Sequence, residues 1–223
     1  MTPSSPHSRF ASSLRLPNAI LLIVLLMLCY PASRWLPLTW GWENGPVENL
    51  QFAVLLAGMV LALVRYSGKP RSAVSMLALA AAPVWAILAA RELSWGAVFL
   101  TPNEVTAEGP VFASSLLWYK PAVAPLSLLL LAFSAFIAVR WRLDRLLVRA
   151  WRQKQFPLSE LLLMLLLMFV SGCSEAHMGC SRELFHTQNQ VLEELVELVA
   201  YLAIVLAQWR LFRLTDETAL PAA

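Results

Sequence analysis

Three short stretches concentrate side chains able to do chemistry in this chain. "SGCSEAHMGC" (171–180) carries Cys173, Glu175, His177 and Cys180; "RELSWG" (91–96) carries Arg91, Glu92 and Ser94; "LEELVEL" (192–198) carries Glu193, Glu194 and Glu197. Carboxylates and imidazoles ligate divalent cations and serve as general acids and bases. Cys173, His177 and Cys180 stand at i, i+4 and i+7, one face of a continuous helix, where with His186 they could form a soft-metal site. Gly172 and Gly179 argue against an unbroken helix, and in a turn the two sulfurs can meet. A Cys173–Cys180 disulfide, two free thiols and a cysteine-ligated metal are all compatible with this spacing. His177, beside Glu175, is the better ligand or acid–base candidate, although a lone interfacial histidine is more often structural.

The elements that must position these groups are membrane helices. The 223 residues are 59% hydrophobic and 14% charged, with mean hydropathy +0.64. Soluble domains are charged at roughly 25%, and several apolar runs here approach the ~20 residues that cross a bilayer. The expected fold is all-α, a polytopic bundle with spans near 17–37, 47–65, 72–92, 121–139, 157–176 and 190–210. Residues 1–13 and 215–223 read as cytoplasmic tails, the first Ser- and Pro-rich and disordered. The first span resembles a signal peptide in its basic flank, but Tyr30-Pro31-Ala32 is a poor cleavage site, which favours a retained anchor. Pro83 inside the third span is a candidate kink. No Gly-rich phosphate loop, zinc-ribbon spacing or internal repeat is evident, and nothing suggests nucleic-acid binding.

Lys and Arg placement sets the expected orientation. With the N-terminus inside, thirteen of the 17 basic residues face the cytoplasm, and only Arg34, Arg91, Lys120 and Arg182 face out. Both termini are therefore expected in the cytoplasm. The acids run the other way, with Glu43, Glu48, Glu92, Glu104, Glu108, Glu175, Glu183, Glu193, Glu194 and Glu197 at or near the outer side. Counting outward from the basic anchors at 1.5 Å per residue puts Glu48, Glu92, Glu175 and Glu197 at similar depth, Glu197 roughly 10 Å below the outer surface. Isolated carboxylates in hydrocarbon are costly. The cheaper arrangement turns them toward one another, around water, a cation or Arg91. Glu48 with Gln51, and Glu193 and Glu194 with Glu197, share helix faces. The alternative is plain: Glu in a first helical turn is favoured by the macrodipole, and Arg91–Glu92 could be an interfacial ion pair.

"ENGPVENL" opening one span, "RELSWG" closing the next and "LEELVEL" opening a late one resemble an uncharacterised family of small bacterial inner-membrane proteins with an E-x-S-W-G motif. The resemblance covers the larger part of the chain and implies a bacterial inner-membrane location, but no reaction. Members more often carry two acids before Ser-Trp-Gly; here Arg91 takes the first place, changing the pocket's charge by two units.

Two functions fit. In the first, Glu92, His177 and Glu197 ligate a divalent cation or act as bases, and the enzyme attacks a lipid headgroup or lipid-linked substrate. Glu48, Asn49, Arg91, Ser94, Glu175 and Glu194 would line the pocket. In the second, the polar groups join helices in a non-catalytic subunit or assembly factor with a membrane-protein partner. Residues 140–156, "RWRLDRLLVRAWRQKQF", read as a basic amphipathic segment on anionic lipid or as a topology anchor. The loop 97–120 is expected to be a mobile lid over the pocket or a segment in the interface.

Overall fold

The computed structural model describes residues 15–68, 72–106, 109–174 and 189–214. Its architecture is an all-α bundle. The helices are α1 (Arg15–Trp35), α2 (Pro46–Gly68), α3 (Ala73–Glu92), α4 (Lys120–Arg140), α5 (Leu143–Arg152), α6 (Leu158–Ser174) and α7 (Asn189–Phe212). Among the described residues, five helices are long and apolar enough to cross a membrane: Pro17–Trp35, Pro46–Gly68, Ala73–Glu92, Lys120–Arg140 and Gln190–Phe212. A shorter apolar helix covers Leu158–Cys173. The protein is a multi-pass membrane protein.

Local chemistry sets the helix ends. Pro46 opens α2, where its missing N–H costs no hydrogen bond. Ser72 caps α3, its side chain accepting from the Ser75 N–H at 3.0 Å while the Ser75 hydroxyl accepts from the Ser72 N–H at 3.0 Å. Pro83 sits inside α3, which runs unbroken to Glu92. Beyond it, Ser94, Trp95 and Gly96 all take positive φ, so "SWG" turns the chain sharply out of the helix.

α7 is the hub. One of its faces places Leu192, Val196, Val199, Ala200 and Ala203 against Leu22 and Cys29 of α1 and Leu167 of α6. Another brings Tyr201 against Leu55 and Ala62 of α2 and Ala78, Ala82, Trp85 and Ala89 of α3. Small residues let these backbones approach closely, the usual device where no aqueous hydrophobic effect drives helices together. Gly58 shows the limit, since a Cβ there would stand 2.8 Å from the Trp85 ring. Trp85 Nε1 donates to Gln208 Oε1 at 2.5 Å, and Gln208 Nε2 donates to Gly58 O at 2.9 Å. α2, α3 and α7 are thereby tied together within the apolar core.

α4 packs on α3 and leaves Leu126, Leu128, Leu129, Phe133, Phe136 and Val139 exposed, a lipid-facing composition. α5 realises the amphipathic segment over Leu143–Arg152. Leu143, Leu146 and Ala150 are buried, and Leu146 and Ala150 pack with Ala73, Val74 and Leu214, while Arg142, Arg145, Arg149 and Arg152 are exposed.

The loop after α3 holds more structure than a floppy lid. It contains short 3-10 turns across Ser94–Phe99, broken by the kink at Trp95 and Gly96, an antiparallel pair of β1 (Glu104–Thr106) with β2 (Gly109–Val111), and a further 3-10 turn (Ser114–Leu116). Glu43 pins it, its Oε1 accepting from Ser94 Oγ at 2.7 Å and its Oε2 from the Phe112 N–H at 3.0 Å. Tyr119 Oη donates to Trp95 O at 2.7 Å. Gly109, at φ 115°, lies so close to Trp42 that a Cβ would come within 2.5 Å of the ring.

Candidate functional site

α2 and α7 begin, and α3 ends, at one end of the bundle, which we call the acidic end. There Glu92, Glu194 and Glu197 each offer a carboxylate oxygen, and these oxygens all lie within 4.8 Å of one another. Glu92 comes from the last turn of α3, and Glu194 and Glu197 from one face of α7. Glu48, in the first turn of α2, lies within electrostatic range of Glu92, Glu194 and Glu197. Glu48 and Glu92 are buried at 8% and 9% exposure, whereas Glu194 and Glu197 are half-buried.

Each acid is held by a neighbour. Tyr201 Oη donates to Glu92 Oε2 at 3.0 Å, and Ser171 Oγ of α6 donates to Glu197 Oε1 at 2.9 Å. Gln51 Nε2 donates to Glu194 Oε2 at 2.9 Å and to the Glu194 backbone oxygen at 2.7 Å. The Asn44 N–H donates to Glu48 Oε2. Gln51 is 0% exposed, and its own carbonyl oxygen is buried without a hydrogen-bond partner.

The spacing suits a hard cation. Two oxygens on opposite sides of Ca2+ are about 4.6–5.2 Å apart, given metal–oxygen distances of 2.3–2.6 Å. The three carboxylates lie within that span. Gln51 Oε1, whose amide is already bonded to Glu194, adds a neutral oxygen donor beside the cluster. The described donors are all oxygens, the set preferred by Ca2+, Mg2+ and Mn2+ over softer metals.

Of the residues singled out in the sequence, Glu48, Glu92, Glu194 and Glu197 converge. Arg91 is exposed and acts on Glu92 and Tyr201 through its charge. Asn49 is exposed and closes the turn before α2, its Nδ2 donating to Asn44 O at 3.0 Å and Gly45 O at 2.8 Å. Ser94 serves Glu43 and the loop. Glu175, His177, Cys180 and His186 lie outside the described residues, and so does the candidate Cys173–Cys180 pairing, one of the three alternatives the spacing allowed; Cys173 itself is disulfide-bonded. Cys29 is a buried free thiol, as a core residue should be.

Tyr201 and Ser171 complete the site without having been singled out, and Gln51, read from the sequence only as sharing a face with Glu48, joins them. Their signal was positional: Tyr201 follows Glu197 by four residues, and Gln51 follows Glu48 by three. At the opposite end, Glu160 of α6 meets Arg210 of α7 in a buried ion pair that charge counting alone had assigned to topology. Compared with protein-family models, curated proteins and solved structures, the chain matches none.

Proposed function

We propose that this is a multi-pass protein of the bacterial inner membrane, with both termini in the cytoplasm. Its acidic end lies beneath the outer leaflet, holds a divalent cation and acts on a lipid headgroup or lipid-linked substrate. The observation that carries the reading is the convergence of Glu92, Glu194 and Glu197 oxygens within 4.8 Å. Orientation rests on the lopsided distribution of Lys and Arg.

Glu92, Glu194 and Glu197 would hold the cation, with Gln51 Oε1 as a further oxygen. A cation so placed lowers the pKa of a bound water and polarises an ester or phosphoryl oxygen. Arg91, exposed at the rim, would meet the anionic part of a headgroup. His177, level with these acids by residue count, is the candidate proton donor to the leaving group.

The test is metal content and turnover together. Wild-type protein purified without chelator is expected to carry a divalent cation by elemental analysis, and Glu197→Gln and Glu92→Gln are expected to lose it. Wild type should release headgroup from extracted bacterial lipid, and His177→Ala should abolish release while keeping the metal. Metal-free wild type with no affinity for added Ca2+, Mg2+ or Mn2+ would sink the reading.

A second reading has its own support. Every acid of the cluster accepts a hydrogen bond from another group of the bundle, three of them across or along packed helices. Such a network can serve as an interhelical clamp in a non-catalytic subunit. Copurification with a fixed membrane partner, lost in Glu48→Ala or Glu197→Ala, would favour that role.

A further inference from the structure

The hydrophobic stripe of α5 is taken up by the protein itself. Leu146 and Ala150 pack with Ala73, Val74 and Leu214, and Leu143 packs with Met76, Ala80 and Ile137. That face is covered by α3, the end of α4 and the segment just past α7. The rest of the helix divides in two. At about 100° per residue, Leu147, Trp151 and Val148 fall together on one flank, and Arg149, Arg145 and Arg152 on the other. Val148 and Trp151 are 50% and 56% exposed, and the three arginines are exposed as well. The acid on the apolar flank, Asp144 in the first turn, is paired with Arg142 at 3.2 Å. The Trp151 ring meets the Phe156 ring edgewise, their centroids 5.5 Å apart.

Position says what covers the exposed flanks. From Lys120 to Arg140 α4 makes 20 steps (140 − 120), about 30 Å at 1.5 Å each, matching a hydrocarbon thickness of ~30 Å. Its last turns present Phe136 and Val139 to lipid. α5 begins at Leu143, and Arg142, at φ 49°, turns the chain between the two helices. The apolar flank of α5 therefore continues the lipid-facing surface of α4, at the level where acyl chains meet headgroups. Trp141 and Trp209 stand at the same end, with Arg140 5.9 Å and Arg213 5.0 Å from their ring centroids. Aromatic rings among basic groups are the composition of a membrane boundary. An acidic protein or a nucleic acid would meet the arginines and leave Val148 and Trp151 in water. A bilayer carrying anionic phosphates satisfies both flanks at once.

We propose that α5 binds anionic phospholipid of the leaflet at this end of the bundle, with Leu147, Val148 and Trp151 among the upper acyl chains and Arg145, Arg149 and Arg152 at the phosphates. The lipid-binding surface is thus turned roughly 100° about the helix axis from the stripe that makes the segment amphipathic in sequence. It needs neither the cation at the acidic end nor a particular orientation of the chain.

The experiment uses the full chain in bilayers of equal parts phosphatidylglycerol and phosphatidylcholine, with a bimane fluorophore on Val148→Cys. Cys29 is buried and Cys173 is disulfide-bonded, so neither competes for the label. Bromines on the upper acyl chains are expected to quench this label within twofold of one on Val139→Cys, the lipid-facing position of α4. Acrylamide in the water should quench it at least threefold less than a label on exposed Gln153→Cys. Bromines carried on phosphatidylglycerol should quench at least twofold more than bromines carried on phosphatidylcholine, and this preference should vanish when Arg145→Gln, Arg149→Gln and Arg152→Gln are added together. A label open to acrylamide and untouched by bromine overturns the proposal, because the flank then lies in water. A label shielded from both quenchers overturns it in favour of a covering protein. Equal quenching by the two lipids, or a preference that survives the triple substitution, overturns the role of the arginines. If the triple variant does not fold, 1 M salt, which shortens the screening length to about 3 Å, must abolish the preference in the chain that keeps its arginines.

Discussion

Replacing Glu197 by Gln separates a cation site from a clamp, because the two predict opposite signs. Gln keeps a carbonyl oxygen able to accept the Ser171 hydroxyl, now bonded to Glu197 at 2.9 Å, so the helix-joining contact survives. The substitution removes the charge while keeping the shape of the side chain. Three carboxylates whose oxygens lie within 4.8 Å of one another would, all ionised at that separation, repel by about 3.5 kcal/mol per pair at an effective dielectric near 20. Glu197 belongs to two of the three pairs, so with all three ionised its neutralisation would relieve about 7 kcal/mol; a proton shared within the cluster and the solvent screening of half-exposed Glu194 and Glu197 reduce this. In chelator, Glu197→Gln should therefore melt above wild type. Added cation should reverse the comparison. A ligand at a hundred times its Kd stabilises by about 2.7 kcal/mol, and a chain of this size gains about 2–4 °C per kcal/mol. Wild type should then rise by about 5–10 °C in saturating Ca2+, and the variant, short of one ligand, by only a small fraction of that. The assay is intrinsic tryptophan fluorescence during a thermal ramp, in chelator and in Ca2+. An equal Ca2+ shift in both proteins, or a variant less stable than wild type in chelator, would refute the reasoning.

Other outcomes follow from the rest of the bundle. Gln208→Leu leaves Trp85 Nε1 without its acceptor and removes the side-chain donor to Gly58 O, and is expected to cost about 1–2 kcal/mol in a detergent melt. Gly58→Ala drives a methyl to 2.8 Å from the Trp85 ring and should cost about 1–3 kcal/mol, with a shift in tryptophan emission. Glu160→Leu strands the Arg210 charge in a site where the pair is 0% and 6% exposed; a loss of about 3–5 kcal/mol is expected, largely recovered when Arg210→Met is added. Glu43→Ala frees Ser94 Oγ and the Phe112 N–H, and limited proteolysis should then cut between residues 97 and 119 at least tenfold faster, while α3 and α4 stay protected.

What the sequence made legible was depth along each helix axis. Apolar runs have lengths, and a rise of 1.5 Å per residue converts those lengths into levels. The span expected over 47–65 is Pro46–Gly68, that over 72–92 is Ala73–Glu92, and Glu92 does stand level with Glu197. What stayed hidden was rotation about each axis. In α3 the faces toward lipid and toward protein are almost equally apolar, so no hydrophobic stripe says where a polar group points. Asn49 follows Glu48 by one residue, roughly 100° around the helix, and it closes a turn instead of entering the pocket. Tyr201, four residues after Glu197, was readable only as another aromatic in an apolar run. Charges carried the complementary ambiguity. Glu160 and Arg210 were each visible at the inner ends of their spans, yet a topology count uses only the sign and side of a charge, and loses the pairing.

That pairing also changes how α7 should be understood. The helix carries its acids at one end and a buried guanidinium at the other, with Gln208 and Trp85 making the only polar crossing described between α7 and α3 besides Tyr201 and Glu92. From Glu197 to Arg210 the thirteen steps along α7 (210 − 197) measure about 20 Å, well beyond the 7–10 Å within which substitutions usually couple. The acidic cluster and the Glu160–Arg210 pair are therefore expected to respond independently to substitution. Each can be altered while the other is measured, so the cation reading is tested without disturbing the buried ion pair.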